Sequence, residues 1–597
     1  MAFLAFIISI VLVGSLAAKI VAKIFPFSRG ESFFYGIILS LISFGLIGGL
    51  FTSWFKYDFW LMWLSLILTA LIFWGVNKWI KAPLPESEQK ITTVDLNDWP
   101  KVVWVIFYLV VISGVISSVL MAKGEKMFSP WEALPWWFVV SALFGFLFVL
   151  WSIVQKISPK KILWSIIALS FFIHSYLLVY QNGFGGDRFR HLGSENRLLQ
   201  GLDYQPTLLT KDLWTVNLGP IKIPQALVDR AKISYGLQWS IEAFSSQLTG
   251  VGVFQINKFA LPIFWSLSFT LLSYLVGLLL FSDRNKALIP ALIGNGLYLL
   301  QYYGAQGLPA SYGVLVVLAV IPLWLNYLKN GEKKILLLAG GFTALSYFNY
   351  SLSFLALLAL SFLTLALRKN RWLGIIAAGA IALFMFGLEL LDGNRFDFFL
   401  GKIRSAWSAG SLLYFNSLSR FSFVDANLLE ILDILFAIIF ILVSLLACWQ
   451  CWKKNDAVRL AICLMFFSLT ATYVFSWTLL SGEHSLARRL TFFSSVFFIF
   501  ILAEPIYDFV VVKKSQLAVI TLSLLFTISF YSGPLLKVNV SDRDWAKAEA
   551  IWKDISKLDS YPCIDDDLEV ILALEAVSAK RFQETINNNN CASRTIK

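Results

Sequence analysis

Runs of about twenty apolar residues, the length one helix needs to cross a bilayer, recur along this chain, each closed by a charge, a proline or a glycine. The first, 2–18, meets no charge until Lys19. Sixteen such runs start near Phe3, Ser32, Phe59, Val102, Trp136, Ile162, Ile256, Ala287, Tyr312, Ile335, Leu352, Trp372, Ile431, Leu460, Leu490 and Leu517. The stretches 288–303 and 335–350 are short or Gly-rich, which leaves the count open by one pair. Between the runs there is little polar material: charged residues make up 14% of the chain, against about 25% in a soluble domain. A soluble enzyme, a disordered chain and a nucleic-acid-binding domain are thereby excluded. The expectation is an all-α polytopic membrane protein with about 16 transmembrane helices.

The surviving charges carry the topology. No basic segment precedes the opening run, so it reads as a first span with its N-terminus outside rather than a cleavable signal peptide. The inner connections then contain 23 Lys and Arg and the five short outer ones contain five. That asymmetry is the positive-inside pattern. It accounts for the net charge of +12 without nucleic acid as a partner. Both termini are expected on the extracytoplasmic side of an inner (plasma) membrane. Three larger segments also fall outside: 181–255, 391–430 and the tail 536–597. The chain divides into an N-terminal five-span accessory region (1–161), a transmembrane body (162–535) and a small C-terminal extracytoplasmic cap (536–597). Helical periodicity is expected in the cap over 545–558 and 568–582.

The first outer segment opens with NGFGGDRFRHLGSENRLLQG, where Gly183, Gly185 and Gly186 break the preceding span. A helix is predicted from Asp187 to Gly201. Asp187, His191 and Glu195 are spaced i, i+4, i+8 on one face, and Arg190 and Arg197 occupy a neighbouring one. A carboxylate and a histidine so placed suit either metal coordination or general-base chemistry. A second amphipathic helix, 235–248, is expected to lie along the membrane surface with Trp239 and Phe244 as anchors. The three histidines of the chain, His174, His191 and His484, all fall on the outer half.

An acid in the first large outer loop, on a D-x-x-x-H helix followed by amphipathic surface helices, resembles the GT-C class of membrane glycosyltransferases. That class includes oligosaccharyltransferase catalytic subunits, protein O-mannosyltransferases and lipid A aminoarabinose transferases. The similarity of topology covers the chain from about residue 162 onward, and the motif itself rests on GGDRFRHLGSENRLLQG. The resemblance implies a GT-C-like body that moves a sugar from a polyprenyl-phosphate carrier to a glycan, lipid or protein acceptor on the outer face. By position, Asp187 would be the catalytic base or the ligand of a divalent metal such as Mg or Mn, with His191 and Glu195 in support. Two features depart from the class pattern. Five spans precede the one that leads into the acidic loop, and Asp187 is followed by Arg188 rather than by a second acid. A second carboxylate must come from Glu195 or from another loop.

The chemistry is reasonable for these residue types. An acceptor hydroxyl attacking an anomeric carbon needs a carboxylate within about 3 Å to take its proton. The leaving lipid phosphate needs its growing charge stabilised, which Arg does through bidentate contacts. Arg190 is one such candidate. The connection SGEHSLARRL supplies others: Glu483, His484, Arg488 and Arg489, with the arginines either snorkelling anchors or a phosphate clamp. The loop at 391–407 adds Asp392, Arg395, Asp397, Lys402 and Arg404, Glu389 stands at the end of its span, and the Tyr-rich connection 301–313 either lines a cavity or forms an interfacial turn. Cys448 and Cys451 form a C-x-x-C at an inner helix end without a second pair. Cys563 and Cys591 lie in the outer tail, where a disulfide is permitted. No G-x-x-x-x-G-K-S/T phosphate loop is present. Two other readings remain: an O-antigen-type polymerase, which would depend on outer arginines, and a lipid or sugar transporter or flippase, which would place ionisable groups in mid-span.

Overall fold

A computed structural model describes residues 2–55, 57–80, 98–201, 215–218, 221–224, 235–281, 283–391, 395–396, 426–481, 485–532, 539–557, 563–564, 566–579 and 595–596. The protein is all-α and polytopic. Twelve helices among the described residues are long and apolar enough to cross a membrane, and two shorter apolar stretches, Ile441–Lys453 and Gln516–Tyr531, accompany them. In chain order the first helices are α1 (Ala2–Ile24), α2 (Arg29–Trp54), α3 (Phe59–Trp79), α4 (Lys101–Leu120), α5 (Trp136–Val154) and α6 (Pro159–His174). The polar helices α7 (Gly186–Leu199) and α8 (Gly236–Thr249) follow, then α9 (Val253–Phe281), α10 (Arg284–Gly296), α11 (Tyr298–Ala305) and α12 (Pro309–Asn330). The body is completed by α13 (Lys333–Leu345), α14 (Ser351–Lys369), α15 (Arg371–Leu391), α16 (Ala426–Lys453), α17 (Ala457–Leu479), α18 (Ser485–Tyr507) and α19 (Gln516–Ser532). The tail contributes α20 (Asp542–Ile555) and α21 (Leu568–Ser578).

Each of the sixteen predicted starts falls on one of these helices or at its first turn. The two stretches flagged as short are α10 and α13, of 13 residues each, or about 20 Å at 1.5 Å per residue. The first ends where Leu297 turns extended, and the second passes into a 3-10 turn at Ser346–Phe348. Long helices carry large apolar side chains on their outward faces, among them Trp60, Leu109, Ile376 and Leu517. A soluble monomer does not expose apolar surface on that scale, so these faces meet lipid.

Polar contacts sort the helix connections into two layers. On one side Lys23 Nζ donates to Asn77 Oδ1 (2.7 Å) and Ile80 O (2.9 Å). Glu31 pairs with Arg284 (3.3 Å), Lys334 Nζ reaches Trp79 O (2.8 Å), Arg371 reaches Trp452 O (2.9 Å), and Glu504 joins Lys286 (2.9 Å) and Arg459. Every one of these basic residues belongs to a connection expected inside. On the opposite side Tyr57 donates to Gln247 (2.8 Å), Asn182 to Asp542 (2.7 Å), the Asp542 amide to Gly124 O (2.7 Å) and Lys258 to Gln181 O (3.2 Å). Alternating membership of the two layers is what a chain crossing back and forth produces.

The N-terminal helices are packed into the rest. Helix α2 lies along α8, and Tyr35 donates to Ala319 O on α12 (2.6 Å). The surface-helix expectation for 235–248 is corrected here: α8 is inserted between α2, α7 and α9, and Trp239 and Phe244 are buried inside the protein. Phe244 packs against Phe6, Phe44, Phe59 and Trp63 of α1, α2 and α3, and Trp239 against His191 and Tyr235, so protein rather than lipid covers the helix. In the tail, Phe189, Leu192, Val570, Ile571 and Leu574 belong to a second, smaller core that joins α7 to α20 and α21. Short strand pairs link Thr215–Leu218 to Ile221–Pro224, Arg395–Phe396 to Leu480–Ser481 and Cys563–Ile564 to Thr595–Ile596. Cys448, Cys451 and Cys463 are free thiols. The expected Cys563–Cys591 disulfide lies outside the described side chains.

Candidate active site

Helix α7 is the element on which the outer side is organised, and its start is set by backbone conformation. Gly183 and Gly185 both adopt φ +91, a region open to glycine and costly for other residues. The turn they make redirects the chain from α6 into α7. Asp187 then stands in the first turn, where the helix dipole favours a carboxylate.

The i, i+4, i+8 face predicted for Asp187, His191 and Glu195 is present, but it does not bring the three into one site. Four residues advance an α-helix by about 40° beyond a full turn, so the row winds inward along α7. Asp187 is exposed, His191 is half-buried and Glu195 is fully buried. Glu195 thus lies in the interior, about two turns along the helix from the exposed Asp187. His191 Nδ1 accepts from Trp239 Nε1 (3.3 Å) and its ring meets Tyr235 at 5.0 Å. Arg190 turns away to pair with Glu575 of α21 (3.3 Å), so it supports the cap and does not face Asp187. His174 is buried, with Nδ1 donating to Ser170 O (2.6 Å) and its ring against Trp265.

Asp187 shares its surroundings with Arg488 and Arg489. Both arginines are exposed at the start of α18, and among the described residues none of the three charges makes a salt bridge. Tyr303 reports their common field: burial pushes its hydroxyl up, Arg489 and Arg488 oppose, and Asp187 adds to the rise. Tyr350 is likewise raised by burial and feels Arg489, Tyr235, Tyr303 and Asp187. Aromatic rings line the same region. Tyr235 stacks on Tyr350 (6.1 Å), Tyr350 on Phe493 (6.2 Å) and Tyr303 on Phe492 (3.9 Å). One carboxylate, two guanidinium groups and several stacked aromatic rings thus share one neighbourhood between the starts of α7 and α18.

Two supports hold this neighbourhood. Glu389, fully buried, accepts from the Ala487 amide (3.1 Å), so it anchors the first turn of α18 from which Arg488 and Arg489 project. Gly193 is the point where α21 meets α7: a Cβ there would stand 2.5 Å from the Glu575 carbonyl oxygen. Because the obstacle is backbone, Gly193→Ala is expected to lift the cap, destabilising it by about 1–3 kcal/mol. Faster proteolysis of the tail with unchanged membrane insertion is the expected reading.

A buried polar cluster joins Glu195 and Tyr312 to Arg188, Asn257 and Glu242, a grouping that the sequence does not show. Arg188 Nε donates to Asn257 Oδ1 (2.6 Å), and Asn257 Nδ2 donates to Glu242 Oε2 (2.7 Å). Tyr312 donates to Glu242 Oε1 (2.9 Å), and Gln238 Nε2 donates to Glu195 Oε1 (3.1 Å) and Gly307 O (3.1 Å). One signal was available, since Glu242 is the sole charged residue in 235–257.

Glu483 and His484 lie outside the described residues, as do Asp392, Asp397, Lys402 and Arg404. Among the described residues no group of three or more His, Cys, Asp or Glu side chains gathers as a metal site. Asp187 shares its surroundings, among the described residues, with arginines and tyrosines. Comparison with protein-family models, curated proteins and solved structures finds no match for this chain.

Proposed function

We propose that this protein is a GT-C-like membrane glycosyltransferase, moving a sugar from a polyprenyl-phosphate carrier to an acceptor on the extracytoplasmic face of the inner membrane. The observation that carries the reading is that exposed Asp187 and exposed Arg488 and Arg489 all act on the same tyrosine, Tyr303. In this mechanism the acceptor oxygen forms a bond to the anomeric carbon and gives its proton to Asp187. The bond from that carbon to the carrier phosphate breaks, and the electron pair leaves with the phosphate. Arg488 and Arg489 neutralise the charge that develops on it, and the stacked rings of Tyr235, Tyr350 and Phe493 and of Tyr303 and Phe492 back that region. The N-terminal helices serve as scaffold, because α2 backs α8 and through it α7.

The test is transfer by the purified full chain in proteoliposomes, supplied with a panel of polyprenyl-phosphate sugars. Transfer by the wild type and none by Asp187→Asn supports the assignment. Wild-type transfer by the mutant removes it. The exposed arginine pair also suits an O-antigen-type polymerase, and that reading predicts activity that depends on Arg488 and Arg489 but survives Asp187→Asn.

A further inference from the structure

We infer that Glu195 and Glu242 form a carboxylic acid–carboxylate pair that shares one proton, held on Glu195, and that this pair positions α7 and thereby Asp187. The part concerning Asp187 rests on the reading of that residue as the base; the pair itself does not.

The geometry leaves room for one negative charge. Glu195 and Glu242 are 0% and 1% exposed, on helices that pack face to face. One cation, Arg188 at 4% exposure, is linked to Glu242 through Asn257. Burial pushes the Arg188 guanidinium down to about 10, so it stays charged at neutral pH. Lys258 is the other nearby cation; its Nζ faces Gln181 O, and its charge acts on Arg188 rather than on either glutamate. Of the other elements around the pair, α12 contributes Tyr312 as a donor and the connection after α11 contributes the Gly307 carbonyl. Helix α2 keeps its charged residues, Arg29 and Glu31, in its first turn at the far end. On the cap side, Glu575 is taken by Arg190. Two buried carboxylates against one guanidinium would leave an uncompensated charge, which is far costlier than a shared proton.

The hydrogen bonds say which acid holds that proton. Glu242 accepts from both Asn257 and Tyr312, donors that favour its ionised form. Glu195 accepts from Gln238 alone, and its Oε2 finds no acceptor or donor at ordinary hydrogen-bond length among the described residues. Burial and the Glu242 charge hold the Glu195 carboxyl well above the usual carboxylate range, whereas Arg188 and the two donors restrain the rise of Glu242. The sign for pH follows. A group whose proton is bound tighter in the folded state stabilises it at low pH and loses that contribution as pH rises through its raised pKa. The attachment of α7 should therefore loosen on the alkaline side.

The test uses the full chain in lipid nanodiscs, read by infrared spectroscopy and by hydrogen exchange of α7, corrected for the intrinsic pH dependence of exchange. Wild type should show a protonated-carboxyl band that Glu195→Gln lacks, and α7 protection that falls with rising pH. Glu195→Gln, a permanently neutral donor, should keep α7 protected at all pH values. Glu242→Gln should expose α7 about 10²-fold at low pH, where Glu195 keeps its proton and Arg188 is left without a counter-charge. Absence of the band in wild type, or equal α7 exchange in wild type and Glu195→Gln across the pH range, overturns the pair, and these readouts stand even if Glu242→Gln does not fold. The expected exchange pattern without any sugar transfer would preserve the pair and count only against the transferase reading.

Discussion

Asp187→Asn is expected to lower sugar transfer by about 10²–10⁴-fold, the usual contribution of a positioned general base, while leaving the fold intact. The asymmetry follows from how α7 is held. Arg188 and Glu195 fix its inner face, and Phe189, Leu192 and Gly193 fix its cap face. Asp187 is exposed and adds only its favourable place in the first helical turn, at most about 1 kcal/mol. Asn keeps the shape and removes the basic oxygen. Initial transfer rates alongside thermal melting check the prediction. A large rate loss with a nearly unchanged melt is the expected pair of results, whereas equal losses in both would reassign Asp187 to structure.

The second large effect is expected at Arg489. Its replacement by Ala should cost about 10²–10³-fold in kcat/KM for the lipid-linked donor, the scale on which a preorganised transition-state donor acts. Arg489 stands among Tyr303, Tyr350 and Asp187, and its helix start is pinned by Glu389. The guanidinium is thus presented on a fixed element at little further ordering cost. Arg489→Lys should recover part of the loss, since the charge returns without the bidentate fork. Glu389→Gln should weaken transfer less than either, because it disturbs the helix start and leaves the arginines themselves in place. Steady-state kinetics against carrier concentration separates these three.

Much of the architecture was legible because membrane helices are written in apolar runs and the loops between them in charge. The starts near Trp136 or Leu352 needed only those two signals. The parity of the connections, later seen as two hydrogen-bonded layers, followed from where Lys and Arg were allowed to be. Tertiary partnership was not legible. The sequence 235–248 has the pattern of a surface helix, and nothing local distinguishes lipid from protein as the cover of its apolar face. Asp187 could be found because glycines isolate it at a span end. Glu195 was grouped with it by spacing, but the helix winds by enough in eight residues to bury the second acid while exposing the first. Glu242, Asn257 and Tyr312 come from three separate elements, so their meeting around Arg188 is a property of packing alone. Tyr350 shares that origin, whereas Tyr303 stands in the Tyr-rich connection 301–313 that the sequence marks out.

The central claim is that the Asp187–Arg488–Arg489 neighbourhood receives a lipid-linked sugar phosphate. A density map of the full chain in nanodiscs with a bound polyprenyl phosphate tests it most directly. The account predicts the phosphate against the guanidinium groups of Arg488 and Arg489, with the Asp187 carboxylate facing it. A phosphate bound elsewhere on the protein, with this neighbourhood empty, would contradict it.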